Sequence, residues 1–100
     1  MLLQYREGGF VHTIEQIEEI IRSAIYNVTG KSNVNSDVNL TGYHMAIFPA
    51  DFLYIFNLIE LHTGLPIYRV LEDHSYKVLT IKNLVSALYE LQLSVDTTEI

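Results

Sequence analysis

Apolar residues recur at helical spacing in three parts of the chain, and the first of these is "HTIEQIEEIIRSAIYNVTGK". Its isoleucines fall three and four residues apart, with Glu and Arg side chains on the opposite face. Thr13 is a natural N-cap, Gln16 completes a capping box, and Gly30 suits the position after the last turn. The segment therefore predicts a long first helix whose isoleucine stripe faces the core.

The second segment, "PADFLYIFNLIELHTG", is apolar on nearly every face of the helix that it predicts. Pro49 suits the first helical position, because the N–H that it lacks would have no partner inside the helix. Asp51 falls in the first turn, where the helix dipole favours a carboxylate, and Gly64 marks the end. A helix that is apolar all round is either buried or covered by another surface.

Two further helices are predicted in the last third of the chain. After "LPIYR", the segment "VLEDHSYKV" is long enough for two turns, and "LTIKNLVSALYELQ" follows. Thr80 is the expected N-cap of the last helix, with Leu79 and Leu84 as a hydrophobic staple. The prediction is one all-α domain, a four-helix bundle at residues 13–92 with an N-terminal extension at 1–12 and a frayed tail at 93–100.

Residues 31–48 form a loop that is long for a compact domain. Its first half, "KSNVNSDVNLTG", is rich in Asn, Ser, Asp and Gly. Loops of this length are usually functional or anchored by buried side chains, and Val38, Leu40, Met45 and Ile47 are the expected anchors. Whether the loop covers the second helix is left open by the sequence.

Composition narrows the classes of function. Twelve Asp and Glu against six Lys and Arg give a formal charge of −6, without the basic cluster that binding to nucleic acid requires. The absence of cysteine excludes disulfides and thiolate metal sites. No apolar run predicts a membrane span or a secretion signal, so a cytoplasmic location is expected. The four histidines show no metal-binding spacing, and no metal site is predicted.

From about Ile14 to Leu91, the order and spacing of these segments resemble an acyl carrier protein or a peptidyl carrier domain. "DFLYIFNLIELHTGLPI" is similar to the carrier pattern of an Asp-led helix that ends in a turn and a Gly. "LEDHSYKVLTIKNLVSALYEL" is similar to the short third helix and the Thr-capped last helix, and "DVNLTGYHMAI" takes the place of the long loop. The resemblance implies a four-helix bundle of acyl-carrier type.

The chain departs from this family at the position that carries its chemistry. Carriers attach phosphopantetheine to a serine at the start of the second helix, and the resemblance places Phe48, Pro49 and Ala50 there. None of the three has a hydroxyl group, so the resemblance implies no attached cofactor, no catalytic residue and no enzyme activity. Carrier-related proteins without the serine occur in bacterial gene neighbourhoods for peptide maturation. The implied partner is a modifying enzyme or a precursor peptide.

The surplus apolar surface of the second helix is the remaining candidate site. One face is expected to fill the core with Ile55, Phe56, Ile59 and either Phe52 or Leu53. The candidate interface residues for a protein partner are Phe52, Tyr54, Leu58 and Leu61.

Three alternatives stay open at this point. In the first, the long loop folds over the second helix and covers its surplus apolar surface. In the second, the chain is a working carrier with an unusual attachment residue, for which Ser36 and Thr41 are the candidates. In the third, the chain is a homodimeric structural protein whose second helix pairs with its own copy.

Overall fold

The structure, a computed structural model, describes residues 11–74 and 79–98. The elements in these ranges are α1 (Ile14–Thr29), a 3₁₀ turn (Tyr43–Met45), α2 (Pro49–Thr63), α3 (Ile67–His74) and α4 (Ile81–Thr98). All regular structure in the described residues is helical, and the predicted order of four helices is confirmed. None of the described helices combines the length and the apolar character that crossing a bilayer requires.

The ends of α1 are those that the sequence predicts. The Gln16 N–H donates to Thr13 Oγ1 at 3.0 Å, and the Thr13 N–H donates to Gln16 Oε1 at 2.9 Å. At the other end Gly30 takes a left-handed φ of 77°, and its N–H donates to the Tyr26 carbonyl. Because a side chain is strained at this φ, glycine is the favoured residue there.

The core lies between α1 and the other helices. α1 packs against both α2 and α4, while α3 bridges α2 and α4. Ile17, Ile21 and Ile25 of α1 are almost fully buried, as the isoleucine stripe predicts. Burying side chains of this size stabilises the fold by about 1.5–3 kcal/mol each. The helices contribute to one cluster, whose other largest buried members are Leu40, Ile55, Ile59, Ile67, Ile81, Leu84 and Leu88.

The helix α4 begins as predicted but ends later. Thr80 Oγ1 accepts the Asn83 N–H at 3.0 Å, and both staple residues, Leu79 and Leu84, are buried. The helix continues to Thr98, beyond the predicted end of the bundle at residue 92 and into the tail predicted at 93–100. No Gly or Pro occurs after Thr80 to end the helix.

A side chain of α4 holds the segment that leads into α1. The His12 N–H donates to Gln92 Oε1 and the Gln92 side-chain amide donates to the His12 carbonyl, both at 2.8 Å. Gln92 is itself buried, so these bonds satisfy both polar ends of its amide in the interior. The contact joins residues that are 80 positions apart in the chain.

The helix α3 starts earlier than the sequence suggests. It begins at Ile67, directly after Pro66, whereas the predicted segment begins at Val70. The Arg69 N–H donates to the Pro66 carbonyl, which forms the first turn, and Ile67 is fully buried. The last four residues of the predicted segment, 75–78, lie outside the described residues, as do residues 1–10 of the predicted extension and 99–100 of the tail.

The loop at 31–48 is anchored by apolar side chains and by one arginine. Leu40 and Ile47 are buried, and Val38 and Met45 pack against the core, so all four predicted anchors are confirmed. Arg22 of α1 donates to the Val34 carbonyl at 2.7 Å and to Ser36 Oγ at 2.9 Å. The guanidinium thereby ties the first part of the loop to α1.

The start of α4 anchors the same loop from the other side. The Leu40 N–H donates to the Leu79 carbonyl at 2.8 Å, and the Lys82 N–H donates to the Ser36 carbonyl at 3.0 Å. The second bond satisfies an N–H of the first turn of α4 that has no partner inside the helix. The loop therefore lies across α1 and the start of α4.

We expect the variant Arg22→Ala to lose about 1–3 kcal/mol of unfolding free energy, because its hydrogen bonds to the loop come from a charged group. Urea unfolding measures the loss, and amide hydrogen exchange at Leu40 should become faster. Arg69→Ala, which removes an exposed arginine of α3, is the matched control. Equal losses in the two variants would show that Arg22 does not anchor the loop.

Candidate functional site

The start of α2 is capped by hydrogen bonds among its own residues. Phe48 is the N-cap, Pro49 takes the first helical position, and the Phe48 N–H donates to Asp51 Oδ2 at 3.1 Å. The Asp51 N–H in turn donates to the Phe48 carbonyl at 2.9 Å. The Asp51 carboxylate thus lies where a phosphate group would meet the helix dipole, and Pro49 offers no N–H.

The residues at the predicted attachment position carry no nucleophile. Phe48, Pro49 and Ala50 are all exposed, so this position is accessible, but none has a hydroxyl group. The first turn of α2 offers hydrocarbon side chains and one carboxylate. It has no group that forms a phosphodiester with a pantetheine arm.

The two alternative attachment residues make local hydrogen bonds in the loop. Ser36 is half-buried, and its hydroxyl oxygen accepts from Arg22. Thr41 is exposed, and both its N–H and its hydroxyl donate to Asn39 Oδ1, at 3.0 and 2.7 Å. Neither hydroxyl lies at the start of a helix, which is the setting that suits a phosphate.

The side of α2 that points away from the core exposes large apolar side chains. Leu53 is 56% exposed, Tyr54 64% and Leu61 73%. Asn57 and Glu60 lie between them and are exposed as well. We refer to Leu53, Tyr54, Asn57, Glu60 and Leu61, together with the small residues Ala50 and Gly64 at the two ends, as the α2 outer face.

Two of the four predicted interface residues lie elsewhere. Phe52 and Leu58 are half-buried and pack against the core, so they are not part of the α2 outer face. Phe52 lies three and four residues before Ile55 and Phe56, which places it on the buried side, and its ring is 5.7 Å from that of Phe56.

Tyr54 and Leu61 point outward, and Leu53 takes the place that was predicted for Phe52. The signal that identifies Leu53 is its spacing from Asn57 and Leu61, since three residues four apart share one side of a helix. Uniformly apolar neighbours hide that signal in this segment. Phe48, at the predicted attachment position, is a further exposed apolar residue of this helix start, with 66% exposure.

The long loop leaves the α2 outer face uncovered. Its hydrogen bonds go to α1 and to the start of α4, and its buried side chains enter the core. The exposure of Leu53, Tyr54 and Leu61 means that no described part of the chain packs over them. The loop therefore does not account for the surplus apolar residues of α2.

Two grooves flank α1. A groove of about 320 Å³ lies between α1 and residues 31–34, with Ile25, Val34 and Ile81 below a polar rim that includes Arg22 and Lys31. A smaller one of about 180 Å³ separates α1 from Leu58 and His62 of α2. Among the described residues, no three His, Asp or Glu side chains come together in a way that would hold a metal ion.

Comparisons with protein-family models, with curated proteins and with solved structures found no match to this chain. The resemblance to carrier proteins therefore rests on the order and spacing of the segments alone. The α2 outer face and the capped start of α2 are the two features that bear on the function.

The carboxylates at the two ends of α2 should affect stability with opposite sign. Asp51→Asn removes a charge that the helix dipole favours and weakens the bond to Phe48, so we expect a loss of about 0.5–1 kcal/mol. Glu60→Gln removes a negative charge from the last turn, where the dipole disfavours it, so we expect a small gain of about 0.3 kcal/mol or more. Thermal and urea unfolding of the matched pair measures both, and a change of the same sign in both variants would contradict this account.

Proposed function

We propose that this protein is a carrier-like docking module that binds another protein through the α2 outer face and forms no covalent bond with a cargo. The observation that carries the proposal is the exposure of Leu53, Tyr54 and Leu61 along one side of a single helix. Exposed apolar side chains that gather on one side of a helix mark a site of interaction.

The exposed apolar side chains of this face set the energy available for a protein complex. Removing their exposed parts from water contributes roughly 3–6 kcal/mol before the costs of association are subtracted. Leucine and tyrosine lose little side-chain entropy when they become ordered. Glu60, at the edge of the face, supplies a polar group of the kind that usually borders an apolar interface.

The start of α2 supports the part of the proposal that the protein forms no covalent bond with a cargo. A carrier needs a nucleophilic oxygen at a helix N-terminus whose N–H groups receive a phosphate. Here that position has proline, and the Asp51 carboxylate already accepts the Phe48 N–H.

Co-expression with a broad-specificity phosphopantetheinyl transferase tests the covalent half. We expect the intact mass of the protein to remain that of the unmodified chain, because the first turn of α2 has no hydroxyl group. A genuine carrier domain expressed in the same cells is the positive control. A stoichiometric phosphopantetheine adduct on any residue, including Ser36 or Thr41, would overturn this part of the proposal.

Site-specific photo-crosslinking in the source cell tests the docking half. A crosslinking amino acid placed at Tyr54 should give defined protein adducts, while the same group at Tyr26, an exposed tyrosine of α1, should not. Adding Leu61→Glu should remove the adducts at Tyr54, because a charge cannot be buried unpaired in an apolar interface. Circular dichroism should show an unchanged fold, since Leu61 is mostly exposed.

Adducts of equal yield at Tyr54 and Tyr26, or adducts at Tyr54 that persist with Leu61→Glu, would contradict docking through the α2 outer face. A second copy of this chain counts as a protein partner in this experiment.

A further inference from the structure

The α2 outer face has matching residue types at two pairs of positions about its centre. Leu53 and Leu61 lie four residues before and after Asn57, and the small residues Ala50 and Gly64 lie seven before and after it. All five are exposed, whereas the third pair, Tyr54 and Glu60, differs in type. Because an α-helix turns about 100° per residue, steps of four and seven stay within about 40° of Asn57. The leucines and the small residues are therefore placed symmetrically about Asn57 on the helix surface.

A two-fold interface requires a face that is complementary to itself. In such an interface residue i of one copy meets residue j of the other, and j meets i. Antiparallel pairing of two α2 helices about Asn57 places Leu53 in one layer with Leu61 of the second copy, and Ala50 opposite Gly64 of the second copy. The small residues let the helices approach closely at both ends.

We propose that a second copy of this chain binds the α2 outer face, in an antiparallel helix pair whose two-fold axis passes beside Asn57. The inference rests on the proposed function of this face as a protein interface, and it identifies the partner. The observation behind it is the match of Leu53 with Leu61, and of Ala50 with Gly64, across Asn57.

The charges of α2 permit this pairing although each copy carries a formal charge of −6. Glu60 is the ionised residue of the face, and α2 contains no Lys or Arg. In the proposed register Glu60 shares a layer with Tyr54 of the second copy, at the edge of the seam where the carboxylate remains in water. The two Glu60 residues are six positions apart along the seam, about 9 Å, which is close to one Debye length at physiological salt.

Asn57 is the polar residue at the centre of the seam. A side-chain amide has both donors and an acceptor, so two facing amides can bond to each other reciprocally. A single asparagine in an otherwise apolar helix seam fixes the register and the number of helices, at some cost in stability. Asn57 therefore selects the register in which the two copies of it face each other.

The size of the face sets the expected strength of the dimer. One pair of helices buries less than the roughly 800 Å² per partner of a standard interface. We therefore expect a reversible dimer, and sedimentation equilibrium between about 1 μM and about 1 mM should cover its dissociation. The apparent mass should rise from 11.5 kDa towards twice that value over this range.

The register is tested by cysteine crosslinking, for which a chain without cysteine is well suited. Helices packed about 8–10 Å apart bring residues on the two-fold axis to Cα separations of about 3–5 Å, which overlaps the range of disulfides. With oxidised glutathione as oxidant, Asn57→Cys should form a disulfide-linked dimer at least about tenfold faster than Ser86→Cys, a matched control on the exposed side of α4.

A second variant tests the same axis without crosslinking. Asn57→Asp places two carboxylates opposite each other and should raise the dimer dissociation constant at least about tenfold at neutral pH. Asn83→Asp adds the same charge to α4 as the control. A monomeric wild-type protein at the highest concentration, or equal crosslinking of the two cysteine variants, would overturn the self-pairing.

The experiments distinguish a failure of the docking proposal from a failure of the self-pairing proposal. Adducts at Tyr54 that contain only other proteins, together with a monomer in sedimentation, leave the docking function standing and refute the second copy. The absence of any specific adduct at Tyr54 refutes both.

Discussion

The burial of the isoleucine stripe of α1 is the constraint on which the rest of the fold depends. Ile17, Ile21 and Ile25 contribute to the core between α1 and both long helices, α2 and α4. Because α1 is polar on its other side, its isoleucine stripe must face inward. The sides of α2 and α4 that contact this stripe are then the sides that are buried. Because α2 is apolar all round, its contact with α1 determines which of its apolar side chains remain exposed. The candidate site is therefore the part of α2 that the core does not use.

Local signals in the sequence were sufficient for the starts of α1, α2 and α4 and for the ends of α1 and α2. Thr13, Thr80 and Pro49 mark helix starts, and Gly30 and Gly64 mark ends, because each acts through groups within four residues. The sequence predicts a frayed tail from residue 93, whereas α4 continues to Thr98 through a stretch without Gly or Pro. The path of the long loop could not be predicted, because Arg22 reaches Val34 and Ser36 only in the folded chain.

The site shows the same division between local and long-range information. Sequence alone predicts that α2 has more apolar surface than one core can bury, and it predicts that Tyr54 and Leu61 lie outside. It does not choose between Phe52 and Leu53, which are adjacent in the chain but about 100° apart around the helix. Packing against Phe56 and the core settles that choice. Once Leu53 lies outside, it matches Leu61 across Asn57, a pattern that a list of apolar residues does not reveal.

The hydrogen bonds between Gln92 and His12 constrain the side-chain type at only one of the two positions. Gln92 bonds to the backbone N–H and carbonyl of residue 12, groups that every residue except proline provides. The imidazole takes no part, and its buried Nδ1 has no hydrogen-bond partner among the described residues. Selection can therefore vary position 12 widely while it holds position 92 to a side chain that both donates and accepts. Two residues that touch in the fold need not covary in its relatives.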